Sequence, residues 1–197
     1  MLFEPEWKAL KHEFKYGINA YLKYLAAHGA AGNGLPGSLA ELIEFNVRNS
    51  PLVLSRFGQE IFEEAAVTSG DLSDPEYLEL RGAATRLAVS ALEAPVREHE
   101  LDVIVSLTGS PAWLTDYVLG DHFIFGSSAP AAVSGWPSIT VPAGYVSGLP
   151  VGISFTGPPW SEPRLIALAY AFEQATGVRR VPSLARSVTA GTLAAWD

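Results

Sequence analysis

The chain has 197 residues, no cysteine and a formal net charge of -8, with 48% hydrophobic and 17% charged residues. That balance suits a buried interior and excludes a disordered chain; the acidic charge argues against a phosphate-binding surface, so no nucleic-acid partner is expected. Disulfides, Cys-ligated zinc and thiol catalysis are excluded together, and with no apolar run of roughly 18 residues and no secretory leader the chain reads as soluble and cytoplasmic, without a membrane partner.

The length fits a single domain or one large piece of a bigger one. It is organised as a helical part over 4–99, a strand-containing part over 100–177 and a surface tail over 178–197. From Glu6 to about His28 apolar residues recur at helical steps, which places Trp7, Leu10, Phe14, Ile18, Tyr21 and Leu25 on one face. Gly17 weakens the middle of that helix by about 1 kcal/mol relative to Ala. After a glycine-rich loop, Ser38 and Glu41 form a capping-box pattern that opens a helix carrying Leu39, Leu42, Ile43 and Val47 inward and stopping before Pro51. A third helix is predicted over Gln59–Val67. A fourth starts from Asp74 as N-cap with Pro75 in its first turn, turns Leu80, Ala84, Leu87, Ala88, Ala91 and Leu92 to one side, and kinks or ends near Pro95.

The second half switches to strands. Val103–Leu107 is a short β-branched run whose near-continuous apolar character predicts cover on both faces. Ser110–Phe125 has aromatic and proline residues without a clear period and reads as a long loop, and long loops in compact domains are often functional. Ser138–Val141 and Val151–Phe155 are predicted strands joined by a turn-rich connection from Pro142 to Pro150. Gly152 marks a bulge or a close approach of another backbone. A last helix begins near Ser161, turns Leu165, Ile166, Leu168, Ala169 and Phe172 inward, and closes at Gly177.

The words Gly135-Trp-Pro-Ser-Ile-Thr-Val-Pro-Ala-Gly144 and Gly148-Leu-Pro-Val-Gly-Ile-Ser-Phe-Thr-Gly157, then Ser161-Glu162 and the Leu165–Glu173 helix, resemble the C-terminal region of the amidase signature family. Phe14–Leu22, Leu39–Asn46 and Leu101–Val105 resemble further segments of that family's second half, in the same order. The resemblance runs from about Phe14 to Pro182. One departure is Gly17, where related amidases often place an acidic residue. It implies a partial amidase-signature α/β fold, a mixed β-sheet of few strands covered by helices. It also implies hydrolysis of a carboxamide through an acyl-enzyme, with a serine nucleophile, a second serine in a cis peptide, a lysine base and a Gly/Ser-rich oxyanion hole.

None of that catalytic set is placed on this chain. Lys8, Lys11, Lys15 and Lys23 all lie on the first helix and read as a solvated face, while Gly126-Ser127-Ser128 lacks flanking glycines and reads as a loop or helix cap. His12, His28, His99 and His122 show no metal-ligand spacing and read as surface or loop residues, so neither metal nor cofactor is expected. Asp116 and Asp121 read as turn caps rather than a working carboxylate pair. The resemblance implies that the aromatic loop helps wall the acyl pocket. Trp113, Phe123 and Phe125 are therefore the candidate substrate-binding residues, with core packing as the alternative and the expected role of Trp136.

Three functional readings follow. In the first, the chain is the C-terminal part of an amidase that needs an N-terminal half, and a separate chain carrying that half is an expected partner. Alternatively it is a stand-alone, non-catalytic module for binding or structure, or one of its own serines hydrolyses amides. Few strands leave open sheet edges, so a homo-oligomer or a bound partner is expected along one of them.

Overall fold

The computed structural model describes residues 3–30 and 34–182, and the chain divides within its longest helix into two compact units, residues 1–87 and 88–197. In the first unit, α1 spans Phe3–Leu25 and ends through Gly29, whose φ of 94° turns the chain out of the helix. Its buried stripe is rotated from the expected one: Ala9, His12 and Leu22 are buried, whereas Trp7, Leu10 and Tyr21 are exposed. His12, expected at the surface, is 4% exposed, and its Nδ1 hydrogen-bonds Ser69 Oγ at 3.2 Å. A partnered imidazole can occupy the interior, which periodicity in apolar residues does not register.

The lysines of α1 also depart from a uniformly solvated face. Lys8 is exposed and paired with Glu4 at 2.9 Å, and Lys23 is exposed. Lys11 instead reaches Glu64 at 2.9 Å, and Lys15 Nζ donates to the carbonyls of Ala66 at 2.8 Å and Thr68 at 2.5 Å. Those carbonyls lie at the C-terminal end of α4 (Glu60–Ala66), where intrahelical donors run out and a cation is favoured. Gly70 makes room for the lysine stem, since a Cβ there would lie 2.8 Å from Lys15 Cδ.

Helix α2 (Leu39–Arg48) starts as its cap pattern predicts. Ser38 Oγ accepts from the Glu41 amide at 3.2 Å, and the Glu41 carboxylate reaches back to the Gly37 amide at 2.8 Å. Leu39 is almost wholly buried, but the second buried position is Asn46 rather than Val47, which is exposed. Asn46 Nδ2 donates to Gln59 Oε1 at 3.0 Å, and Gln59 Nε2 donates to the Ile43 carbonyl at 3.4 Å. The short α3 (Ser50–Val53) holds Pro51 in its first turn.

Helix α5 (Pro75–Glu98) opens with Asp74 Oδ1 accepting from the Glu76 amide at 2.9 Å. Tyr77, Ala84, Ala88 and Leu92 are its buried stripe, while Leu87 and Ala91 face outward. Pro95 falls in the last turn, and the helix ends at Glu98.

In the second unit a three-stranded sheet has the order β1-β3-β2, with β1 at Ile104–Leu107, β2 at Ser138–Val146 and β3 at Leu149–Thr156. The expected α/β architecture with few strands is present. Both ladders described here are antiparallel, so the mixed strand directions that the resemblance implies do not arise within these three strands.

The segment from Pro142 to Pro150, expected as a connection, is mostly strand. β2 and β3 run through it and reverse on Ser147 and Gly148, with φ of 50° and 78°, as a two-residue hairpin turn requires. Pro142 is tolerated because β2 is an edge strand, and a register shift follows it between Pro142 and Gly144. Pro150 lies outside the stretch of β3 that β1 pairs.

Helix α7 (Glu162–Thr176) closes at Gly177 in the left-handed region and covers β2 and β3. Val141, Phe155, Leu165 and Ala169 form the buried cluster, flanked by Ile139, Ile153, Leu168 and Phe172, whereas Ile166 faces outward. Val105 and Leu107 of β1, expected to be covered, are 50% and 54% exposed because α7 lies over the other two strands. Helix α6 (Ser128–Ser134) ends at Gly135, after which Trp136 is buried as core. Arg180 begins the tail by donating its amide to Tyr145 Oη at 3.0 Å and laying its guanidinium over that ring. Residues 183–197 of the expected tail lie outside the described residues.

Replacing Lys15 with Met keeps the stem and removes the two bonds at the end of α4. The expected loss is about 1.5–3 kcal/mol of stability, read as a lower urea midpoint at an unchanged slope. An unchanged midpoint would show that water caps those carbonyls as well as the lysine does.

Candidate functional site

The region richest in chemistry lies where β1 ends. Thr108 donates its amide to the Gly152 carbonyl at 2.8 Å and accepts from the Ser127 amide at 3.0 Å. Gly109 pairs with Gly126 in an isolated bridge, so the loop 110–125 leaves and returns at one point. One face of the sheet here carries hydroxyls at alternate positions: Ser106 and Thr108, Ser138 and Thr140, and Ser154 and Thr156.

Ser154, 2% exposed, is the centre of this group. Its Oγ shares hydrogen bonds with Thr108 Oγ1 and Thr140 Oγ1, each at 2.8 Å, and accepts from Ser127 Oγ at 3.2 Å. Ser127 Oγ also lies 3.2 Å from the Thr108 carbonyl. Gly152 lets the cluster close, since a Cβ there would sit 2.7 Å from Thr108 Oγ1 and 3.0 Å from Thr140 Cγ2. Of the two alternatives expected for Gly152, the irregularity is present as the register shift opposite it on β2, whereas the close neighbours are the side chains of Thr108 and Thr140 rather than a second backbone.

This geometry decides what Ser127 can do alone. A serine hydroxyl becomes a nucleophile when a base within hydrogen-bond reach takes its proton. Ser127 touches a hydroxyl and a carbonyl, and neither takes a proton near neutral pH. As the N-cap residue of α6 it belongs to a structural network, as the loop-or-cap reading expects. Lys8, Lys11 and Lys15 are each held by the partners described above. Among the described residues no group of three or more His, Asp or Glu side chains is arranged to hold a metal ion.

The loop presents the aromatic candidates. Trp113 Nε1 donates to Asp121 Oδ1 at 3.2 Å, and its ring meets Phe123 edge-on with centroids 6.2 Å apart. Phe123 leans back over Gly126, is itself 67% exposed, and is followed by the exposed Ile124 and Phe125. Trp113 and Phe123 therefore form one local pair, with Phe125 where the loop rejoins the sheet, and none of the three is in the buried core. Trp136 is the buried one.

Asp116 organises the loop tip by accepting from the Val118 and Leu119 amides at 2.8 and 2.9 Å, with His122 Nε2 at 3.7 Å. The cap role expected of Asp116 is present. Asp121, also expected as a turn cap, has a different bond: its Oδ1 accepts from the Trp113 indole and orients that ring. Thr108, Thr140 and Ser154 were not candidates from the sequence, although the period-two spacing of hydroxyls in three strands was the available signal.

Gly152→Ala should lower stability by about 1–3 kcal/mol in chemical unfolding, and Thr108→Ala in the same chain should recover part of that loss. Strictly additive effects would show that the Thr108 contact is not what excludes a methyl group. The Leu119 and Val118 amides hold the Asp116 carboxyl below its ordinary value of 3.8, with His122 adding to the effect. A folded pKa below the unfolded one gives a contribution that is fully present above the ordinary aspartate range and lost as pH falls through the folded value. The Val118 and Leu119 amide resonances should therefore move on acidification with a midpoint below 3.8. Movement centred above 3.8 would contradict the cap.

Residues 53–166 match the family model described as Amidase. A probable amidase of Arabidopsis thaliana is 39% identical over 176 residues, covering 88% of this chain and 30% of its own length. The structure of a peptide amidase in complex with the competitive inhibitor chymostatin superimposes with a TM-score of 0.80 at 43% identity, over 93% of this chain and 36% of its own. The native peptide amidase of Stenotrophomonas maltophilia gives 0.77 at 42% identity, over 92% of this chain and 35% of its own. The chain thus spans about a third of the length of these relatives. It belongs to the amidase family.

Proposed function

We propose that this chain is the substrate-shaping part of an amidase-type carboxamide hydrolase, and that the bond-breaking serine, relay serine and lysine are supplied by an N-terminal part outside these residues. The observation that carries this reading is the state of Ser127, whose hydroxyl is tied to the Ser154 hydroxyl and the Thr108 carbonyl, with no base in hydrogen-bond reach among the described residues. Coverage of only about a third of each relative supports the division of labour.

In this reading the loop 110–125 walls the acyl side of the cleft. Trp113, fixed by Asp121, and Phe123 offer an aromatic corner to the substrate, and Phe125 borders it where the loop returns. Such surfaces bind by removing apolar area from water and leave the reacting carbonyl to the catalytic part. Likeness to peptide amidases favours a peptide-like carboxamide as substrate. The sheet-end hydroxyl cluster holds the two ends of the loop together, so its role is to position the wall.

The chain alone should hydrolyse no carboxamide, and a serine-reactive phosphonate should leave Ser127 and Ser128 unlabelled by mass spectrometry. Co-expression with the N-terminal two thirds of the Stenotrophomonas maltophilia enzyme should yield peptide-amide hydrolysis. In that complex Trp113→Ala and Phe123→Ala should each raise KM by roughly tenfold, the scale of one lost aromatic contact worth about 1.4 kcal/mol. Labelling of Ser127 together with turnover by the isolated chain would overturn the proposal. Folded chain that gains no activity from any N-terminal part would favour the stand-alone binding module.

A further inference from the structure

Helix α1 carries a second apolar stripe that its own unit does not bury. Trp7, Leu10, Phe14, Gly17, Tyr21 and Tyr24 follow one another at alternating steps of three and four residues, the spacing that keeps a seam in line along two supercoiled helices. The stripe lies about half a turn away from the buried Ala9, His12 and Leu22. Trp7 and Leu10 are each 43% exposed, Tyr21 56% and Tyr24 58%, while Phe14 is half-buried beside Phe62. Where Trp7 and Leu10 meet Ile61 and Ala65 of α4, an open apolar cavity of about 430 Å³ leaves room for the side chain of a facing helix.

Gly17 sits at the middle of this seam. A Cβ there would meet no atom within 4 Å and its φ is not positive, so nothing inside the unit requires a glycine, although glycine weakens a helix interior. A missing side chain at the centre of an otherwise bulky seam is a hole that a large residue of another helix can fill.

We infer that α1 pairs antiparallel with α1 of a second copy of this chain, Phe14 of each seated over Gly17 of the other. The inference is independent of the amidase reading. The seam itself argues for a second copy: setting Phe14 against Gly17 places Leu10 opposite Tyr21 and Trp7 opposite Tyr24, so one two-fold arrangement fills every layer. A parallel pair would stack Gly17 on Gly17 and leave a gap between the Phe14 and Tyr21 layers. Charge agrees with the antiparallel register, in which Lys11 comes opposite Ile18 and Glu13 opposite Ala20, so no like charges meet at the flanks. All four lysines of the acidic chain lie on α1 with three glutamates, so this is the helix along which two copies repel each other least. At about 150–250 Å² for a whole aromatic side chain, the exposed parts of these residues and their flanks from two copies supply roughly 1,000 Å², the size of a weak specific interface.

The test uses the full chain in sedimentation velocity from about 1 to 100 μM. The wild type should pass from monomer to dimer over that range. Gly17→Glu should weaken the dimer by more than about tenfold, with the thermal midpoint of the monomer unchanged or higher, because the new side chain enters open space and a glycine leaves the helix. Lys23→Ala, exposed on α1 away from the seam, should dimerise like wild type. The chain has no cysteine, so introduced ones report the register: a mixture of Leu10→Cys and Tyr21→Cys chains should cross-link through a short bis-maleimide, and Leu10→Cys alone should not. A wild type that stays monomeric overturns the proposal, as does a dimer indifferent to Gly17→Glu. Cross-linking of Leu10→Cys by itself overturns the antiparallel register. If the chain is monomeric and the N-terminal two thirds of the Stenotrophomonas maltophilia peptide amidase shield Leu10→Cys from maleimide, the seam belongs to that part and the assigned occupant is wrong.

Discussion

The second unit is organised by one residue, Thr108, at the end of a four-residue strand. Its amide is bound to β3, its carbonyl to Ser127 on the chain returning from the loop, and its hydroxyl to the buried Ser154. Strand end, loop closure and polar network therefore share a single joint. That joint exists because Gly152 opposite it has no side chain. Buried hydroxyls cost stability unless each is partnered, and here they partner one another, so the polar face of the sheet is closed by mutual satisfaction rather than by hydrophobic cover.

That arrangement separates two roles that amidase sequence words alone do not distinguish. Serines and threonines are abundant around the loop, yet Thr108, Ser127, Thr140 and Ser154 have one another and the backbone as partners, and the buried Ser110 hydroxyl has none. On the proposed reading, what the loop offers a substrate is shape: a tryptophan oriented by an aspartate, a phenylalanine edge against it, and a tip held by Asp116. Membership of the amidase family describes ancestry and fold, while nucleophilic chemistry needs a base that Ser127 does not touch.

Much of the fold was legible because its signals are local. Ser38 with Glu41, Asp74 with Pro75, and Gly177 after the last apolar residues each mark a helix end through one or two hydrogen bonds or a positive φ, and each helix appears in place. What escaped was the polar interior. His12 on Ser69, Asn46 on Gln59 and Lys15 on two carbonyls rotate helix faces that apolar spacing had aligned on Trp7, Tyr21 and Val47. Those bonds join residues far apart in sequence, so nothing near each side chain announces them. The segment between Pro142 and Pro150 misled for a different reason. Proline and glycine normally mark connections, but proline on an edge strand and glycine in a two-residue hairpin both leave the ladder intact. For the site, the aromatic loop stood out by composition, whereas the hydroxyl cluster emerged once three strands were set in register.

The hairpin turn at Ser147 and Gly148 also has a kinetic meaning. It sets the alignment of β2 with β3 through residues adjacent in the chain, so that pairing can form on the microsecond scale of isolated hairpins. β1 meets β3 only after a long stretch of intervening chain, including the aromatic loop, has been gathered in, and loop-closure entropy must be met before its few bonds repay it. The exposed aromatics of the loop are thus held in place by the strand pairing that closes the longer loop. In synthesis order β1 and the loop precede the hairpin that receives them, so their apolar residues wait unpaired until β3 is made, the condition in which chains are most prone to associate.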